Sequence, residues 1–431
     1  MIPYRRYSPR AVMADPVKFR SRQYSLDGRG FVKVFIALSF RSGRYYLPGG
    51  VAGRDNERRL EMAYNKIYME RAIALAKRGI GKVNPNPLVG CVIVKDDEIL
   101  GEGYHEEYGG LHAERQALAD AMKRGNNVYG ADMYVTLEPC SHTGKQPPCT
   151  EAILDAGIKR VYVGSNDPNP LVSGNGIWQL RMAEVEVVTS CMKDECDALN
   201  PVFFHYITEN TPYVVYKYAM TMDGKICTAK GESQWISNEK SREKVQSYRN
   251  ELMGIMVGIE TVLADDPSLK CHMDGGRDPI RIICDSQLRI PMESKLVQEA
   301  GEVKTYVASL AEHEKQNRQK IRELKDHGVG TLLIPADESG KIDLNKLMSQ
   351  LGKMHIDSIL LEGGGTLAWS MINGGYVDEV RAFIAPKVFG GRDALTPVSG
   401  KGIEDINLAK TFELQELENI DGDIFARYLK R

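Results

Sequence analysis

At 431 residues the chain exceeds what a single core usually organises, so two folded domains are expected. Hydrophobic residues make up 42% and charged residues 26%, and no apolar run is long enough to span a bilayer, so composition excludes a disordered chain or a helical membrane protein. The net charge of −2 is unevenly spread: residues 1–59 carry 13 Lys/Arg against 4 Asp/Glu, and the net acidic remainder gives no bulk electrostatic reason to expect nucleic acid as a partner. Eight scattered cysteines are unlike a dense secreted disulfide framework and fit a reducing cytoplasm.

Residues 1–61 are Arg-rich, show no sustained period, and offer only Phe31 to Phe40 as a strand. One reading is an organelle transit peptide. The preferred one is a non-native or disordered leader read from untranslated message, because Arg58-Arg59 can be encoded AGG-AGG, a bacterial ribosome-binding sequence, shortly before Met62. Folded structure is expected to start there.

From Met62 to Gly79, Met69, Ala72, Ile73 and Ala76 recur at helical spacing. Leu88 to Lys95 and Ile99 to Tyr104 flank Asp96-Asp97-Glu98 as a hairpin. A helix over His112 to Arg124, a strand over Ala131 to Leu137, a helix over Cys149 to Ala156 and a strand over Arg160 to Gly164 follow. This alternation predicts a layered α/β sandwich. Cys91, inside a strand, reads as core.

His112-Ala113-Glu114, then Pro139-Cys140 and Cys149, has the form of a zinc-deaminase signature in which one His and two Cys hold the metal and the Glu moves protons. Three protein ligands leave a fourth tetrahedral position for an activated water, whereas structural zinc is usually closed by four. Taken singly, a His before a helix, a first-turn Glu and a buried Cys are ordinary. Jointly they point to catalysis. His142 is a rival ligand that reads better as a loop residue, and Lys145, bracketed by Gly144 and Pro147-Pro148, is either a solvated charge or a group held to meet an anion.

Asn200 to Thr211 is the candidate boundary, with the first domain expected at 62–206 and the second at 207–431. Strand-like runs follow at Tyr213 to Ala219, Gly254 to Val257, Ile280 to Cys284, Thr305 to Ala308, Thr331 to Ile334, Ile359 to Leu361 and Val380 to Ile384, with helices over Ser241 to Leu252 and Leu344 to Leu351. They predict a mainly parallel sheet covered by helices. Glu362-Gly-Gly-Gly365, after a strand and opening a helix, is either a turn or a phosphate cradle.

Several motifs together resemble one family. Asn84-Pro-Asn-Pro-Leu-Val-Gly90, His112-Ala-Glu114, Thr136 to Cys149 and Asp167 to Gly176 resemble the deaminase half of the RibD family of bifunctional riboflavin biosynthesis proteins. Eight residues separate the two cysteines, as in this family, whereas nucleoside and tRNA deaminases usually show Pro-Cys-x-x-Cys. Lys217 to Ile226, Gly231 to Ile236, Gly258 to Leu269, Glu362 to Leu367 and Ile384 to Lys387 resemble its reductase half. The resemblance implies a cytidine-deaminase-like α/β/α sandwich followed by a dihydrofolate-reductase-like α/β domain.

By the same resemblance, His112, Cys140 and Cys149 bind zinc, Glu114 is catalytic, and Asn86, His105 and Lys145 contact a ribosylaminopyrimidine phosphate. Ala219, Trp235, Thr261, Asp265, Ser286, Gly364, Gly365, Thr366, Leu367, Ala368, Trp369 and Ser370 bind NADPH, while Lys217, Ser233, Arg249, Leu269 and Glu362 face the reductase substrate. His272 stands where the family often has Arg, so either phosphate binding there is weaker or Arg277 takes the role. The individual residues also have plain readings: Trp235 as core, Asp265-Asp266-Pro267 as a turn or cap. The alternatives are a nucleoside or RNA-base deaminase with an unrelated second domain, and a zinc-stabilised binding protein, which would not need Glu114. The expected partners are small molecules only, neither nucleic acid nor membrane, in a cytoplasmic homo-oligomer.

Overall fold

A computed structural model describes residues 64–142, 146–169 and 173–431. The leader, its Phe31 to Phe40 strand, the Met62 start and Lys145 lie outside the described residues.

The Asn65 side chain accepts the Ile67 N–H and starts α1 (Lys66–Ala76), which ends through a 3-10 turn at Gly79, the anticipated stop. Strands β1 (Gly90–Lys95) and β2 (Glu98–Tyr104) form the anticipated hairpin. Asp96 and Asp97 both take positive φ, 51° and 62°, as the two-residue I′ turn requires. There follow α2 (Ala113–Lys123), β3 (Asp132–Leu137), α3 (Cys149–Asp155), β4 (Arg160–Ser165), α4 (Asn175–Met182), β5 (Glu186–Val188), α5 (Lys193–Asp197) and α6 (Pro201–Glu209). The sheet order is β2-β1-β3-β4-β5, with β3, β4 and β5 parallel.

Alternation along β1 divides the core into two layers. Cys91 and Ile93 face Ala113, Ala117, Ile153 and Leu180 of the helices on one side, and Val92 and Val94 face Met69, Ala72 and Leu75 of α1 on the other. This is the α/β/α sandwich read from the sequence, with Cys91 fully buried in it. Glycines set the spacing: a Cβ on Gly101 would lie 2.3 Å from Ala117 O, and one on Gly103 2.3 Å from Ala117 N. Helix α2, with Ala113, Ala117 and Ala121 inward, therefore lies directly on β2.

Helices α4, α5 and α6 were not anticipated. The stretch Asn200 to Thr211, read as a boundary, is largely α6, and the 206/207 division falls inside it. Proline at the first helical position lacks only an N–H that would have no partner in the helix anyway, so Asn200-Pro201 opens a helix rather than a linker.

The second domain comprises β6 (Tyr213–Thr221), α7 (Glu239–Glu251), β7 (Gly254–Gly258), α8 (Ile259–Asp265), β8 (Ile280–Cys284), α9 (Lys295–Gln298), β9 (Thr305–Leu310), α10 (Arg318–Asp326), β10 (Val329–Ile334), α11 (Leu344–Lys353), β11 (Ser358–Glu362), α12 (Gly365–Asn373), β12 (Glu379–Ala385), β13 (Phe412–Ile420) and β14 (Asp423–Lys430). Its order is β10-β9-β8-β7-β11-β6-β12-β14-β13, parallel from β10 to β12. β14 and β13 add an antiparallel edge. The sheet is mainly parallel, as expected, with cores on both faces. The β13–β14 hairpin escaped the sequence reading because β13 is an exposed edge strand whose apolar residues do not alternate cleanly.

Gly103→Ala should destabilise the chain by roughly 1–3 kcal/mol, because the added methyl meets backbone that cannot yield without lifting α2. Urea unfolding at constant m-value measures this, and an unchanged midpoint would show that the helix can retreat.

Candidate active sites

His112 caps α2 in extended conformation, placing its ring just before the helix and Glu114 in the first turn. Cys140 lies beyond β3, and Cys149 opens α3 after Pro148. His112 Nδ1 lies 3.5 Å from Cys140 Sγ and 3.3 Å from Cys149 Sγ. All three ligand atoms fall within 4.8 Å of one another, the one such cluster among the described residues. Tetrahedral zinc with ordinary Zn–N and Zn–S bonds puts N and S about 3.5 Å apart, so the donor set and its spacing fit that ion. His142 is exposed and outside the cluster.

The two thiols compete for one proton. The Cys149 thiol, then His112 and the Cys149 N–H at 3.3 Å, overcome burial and hold the Cys140 thiol well below its ordinary range. Cys149 correspondingly keeps its proton until a cation displaces it. Glu114 is 3% exposed; burial, reinforced by the Cys140 thiolate, raises its carboxyl to about 7. That suits a group taking up and releasing a proton near neutrality.

Beside this cluster, His105 Nδ1 lies 3.0 Å from Leu111 O, an acceptor, so that nitrogen carries the hydrogen. Nε2 is left to accept from Asn86 Nδ2 at 3.1 Å. Burial lowers the His105 pKa and favours this neutral ring, which packs edge-on to His112 with centroids 5.6 Å apart. The structure thus brings Asn86, His105 and the metal ligands to one place.

The sequence reading missed Glu138. Buried two residues before Cys140, it accepts the N–H groups of Asp167, Gly174, Gly176 and Ile177 at 3.0–3.3 Å. A Cβ on Gly176 would come 2.0 Å from Pro139 O, so glycine lets the start of α4 close over the Cys140 loop. An acid at the end of the apolar β3 run was the available signal; its backbone partners were not.

In the second domain, Lys217 of β6 pairs in register with Glu362 at the end of β11. Arg249 of α7 grips the Glu362 carboxylate through two nitrogens, at 2.9 and 3.3 Å, while Lys217 Nζ stands at 3.9 Å. Burial alone would raise Glu362, but Arg249 and then Lys217 outweigh it and lower it to about 2. Lys217 goes down, because burial exceeds the hold of a carboxylate already claimed by Arg249.

Gly363 and Gly364, both at φ 79°, turn the chain from β11 into α12, whose first amides have no side-chain cap. A Cβ on Gly363 would meet Thr261 Oγ1 at 3.1 Å. Such a cradle at the C-terminal end of parallel strands fits a dinucleotide phosphate. Ser233 Oγ lies 3.5 Å from Asp265 Oδ1, Trp235 is exposed under the Arg242 guanidinium, and Ala219 and Ser286 are half-buried at strand ends. Thr366 is exposed, and Leu367, Trp369 and Ser370 are half-buried along α12.

Two of the expected contact residues are buried. Ala368 has no exposed surface and belongs to the core beneath α12, because the helix turns every fourth residue inward, so it offers a cofactor nothing to touch. Leu269, at 3% exposure, is likewise mainly core. Arg277 Nη2 faces Asn84 Oδ1 in the first domain at 3.4 Å, and His272 is exposed.

A metal-ready His/Cys/Cys cluster with a buried acid, joined to a parallel-sheet domain with a glycine cradle, defines a zinc-dependent deaminase fused to a nucleotide-dependent reductase. Residues 62–165 match the cytidine and deoxycytidylate deaminase zinc-binding region, and residues 212–426 match the RibD C-terminal domain. The chain is 51% identical over 362 residues to the riboflavin biosynthesis protein RibD of Actinobacillus pleuropneumoniae, covering 84% of this chain and 94% of the relative. It is 40% identical to that of Escherichia coli over 84% and 98% of the two chains. A solved diaminohydroxyphosphoribosylaminopyrimidine deaminase/5-amino-6-(5-phosphoribosylamino)uracil reductase from Thermotoga maritima superposes with a TM-score of 0.76 at 37% identity, over 85% of this chain and 98% of that one. The chain belongs to the RibD family of riboflavin biosynthesis proteins.

Glu362 supplies a pH test. Its folded pKa, about 2, lies below the ordinary 4.5, so its contribution is present above pH 4.5 and is lost as pH falls toward 2. The shift corresponds to about 3 kcal/mol. Unfolding free energies measured across that window should fall, and Glu362→Gln should remove this part of the slope.

Proposed function

We propose that the chain catalyses two consecutive steps of riboflavin biosynthesis. The first is hydrolytic deamination of 2,5-diamino-6-ribosylamino-4(3H)-pyrimidinone 5′-phosphate; the second is NADPH-dependent reduction of the ribosyl chain of 5-amino-6-(5-phosphoribosylamino)uracil to ribityl. The observation that carries the reading is the buried Glu114 beside a three-ligand cluster, a ligand count that leaves a coordination position open. With α6 continuous through residue 209, the proposed division between the domains lies between the end of α6 at Glu209 and the start of β6 at Tyr213.

When bound by His112, Cys140 and Cys149, zinc supplies Lewis-acid activation of a water. Glu114 takes the proton of the attacking water on its carboxylate and returns it to the departing amine, which leaves as ammonia. Asn86 and neutral His105 fix the pyrimidine edge, with Lys145 assigned to the substrate phosphate. In the second site NADPH supplies hydride, and the chain's own work is orientation and charge. The Gly364 to Ser370 segment, apart from the buried Ala368, holds the cofactor together with Thr261, Asp265, Ser286, Ala219 and Trp235. Lys217, Ser233, Arg249 and Glu362 hold the substrate, the fixed ion pair presenting Lys217 to an anionic or carbonyl group. Leu269 contributes by packing behind them.

No helix among the described residues is long and apolar enough to cross a membrane. The eight cysteines, all free, support a cytoplasmic setting. A homo-oligomer is supported by exposed Leu414 and Leu417 on the sheet-edge strand.

Glu114→Gln should lower ammonia release by roughly 10²–10⁴-fold or more while leaving zinc content unchanged. NADPH oxidation with pre-deaminated substrate should persist. Removing zinc by chelation should likewise stop only the first reaction. Ammonia release that survives both treatments would overturn the assignment.

A further inference from the structure

The segment Gly81 to Leu88, which carries Asn86, is held at three points. At its far end Asn200 closes on Leu88, accepting its N–H at 2.7 Å and donating to its carbonyl at 2.9 Å. At its near end Gly81 presses on Asn250 of α7, where a Cβ would come 2.6 Å from Asn250 O. Between them, Asn84 Nδ2 donates to Asp357 Oδ2 at 2.8 Å, and Arg277 Nη2 donates to Asn84 Oδ1 at 3.4 Å. The Arg277 backbone N–H is in turn fixed on Asn250 Oδ1 at 2.9 Å. Asn250, Arg277 and Asp357 all belong to the second domain.

Asp357 is 1% exposed and immediately precedes β11. Its other carboxylate oxygen accepts the Ser358 hydroxyl at 2.6 Å, and its carbonyl accepts the Tyr213 N–H at 2.8 Å, so it cannot swing to follow a moving partner. Asn86 closes a turn onto Val83 O at 2.9 Å. Its amide reaches His105 only while that turn is correctly oriented.

We infer that Asp357 and Arg277 of the second domain are positioning residues for the first reaction: by fixing Asn84 they aim the Asn86 amide at His105 and at the pyrimidine. Neither residue touches the deaminase substrate. This rests on the proposed role of Asn86 as a substrate contact. The coupling is local and geometric: an Asn84 freed from its acceptor lets the turn rotate, and the amide two residues on loses its aim.

The test uses the zinc-loaded full-length chain. Asp357→Ala should raise the KM for deamination about tenfold with little change in kcat, the pattern of lost uniform binding. Asp357→Asn, which keeps an oxygen for Asn84 Nδ2, should restore KM. Asn84→Ala cuts the same link from the other side with a half-buried residue, so it covers the case in which Asp357→Ala fails to fold; it should match the Asp357→Ala KM and leave NADPH oxidation with pre-deaminated substrate intact. The side-chain amide resonance of Asn86, followed with labelled asparagine, should move in both Ala variants and stay in place in Asp357→Asn. An unmoved amide overturns the inference whatever KM does. A moved amide with unchanged KM upholds the positioning and instead removes Asn86 from the substrate contacts, which separates this inference from the reading beneath it.

Discussion

The contact between α2 and β2 is the constraint from which the first site follows. A helix brings a ligand to a sheet only as near as the side chains between them allow, and here Gly101 and Gly103 put nothing between backbone and backbone. That approach sets His112 at the depth where α3 delivers Cys149. Because both ligands stand at helix starts, the positive ends of the two helices lie beside the cluster. The Cys149 amide donating to Cys140 Sγ is the visible part of this. The Cys140 thiolate is thus favoured before any metal arrives.

The second site solves a different electrostatic problem. It must keep a lysine dry and close to a substrate without losing the lysine's companion charge. A carboxylate shared between Arg249 and Lys217 does this, with arginine taking the forked geometry that suits it and lysine left at a looser distance. The adjoining glycine turn keeps backbone amides bare at the start of α12. Fixed charge and open amides therefore sit within a few residues at the end of β11.

Much of this was legible in the chain. Alternation between Cys91/Ile93 and Val92/Val94, the double-aspartate turn and the His-x-Glu with Pro-Cys spacing are local patterns, and local physics suffices to place them. What escaped depends on residues distant in sequence. Glu138 has meaning only against amides 29 to 39 positions away, and Asn84 only against an aspartate 273 positions away. The burial of Ala368 was not legible because a motif names a segment, whereas the helical turn decides which of its residues face inward. The α6 helix was lost because Asn-Pro signals both a linker and a helix start.

Strand β11 joins these observations. Asp357 at its beginning meets the first domain, and Glu362 at its end anchors the second site, with a span of roughly 16 Å of extended chain between them. Insertion or deletion of one residue within it would turn every side chain beyond that point to the opposite face of the sheet. Glu362 would leave Arg249, or Asp357 would leave Asn84, depending on which end kept its place. Two activities written on one chain are in this respect inherited as one: the lineage cannot drift in the length of this strand without endangering one or the other.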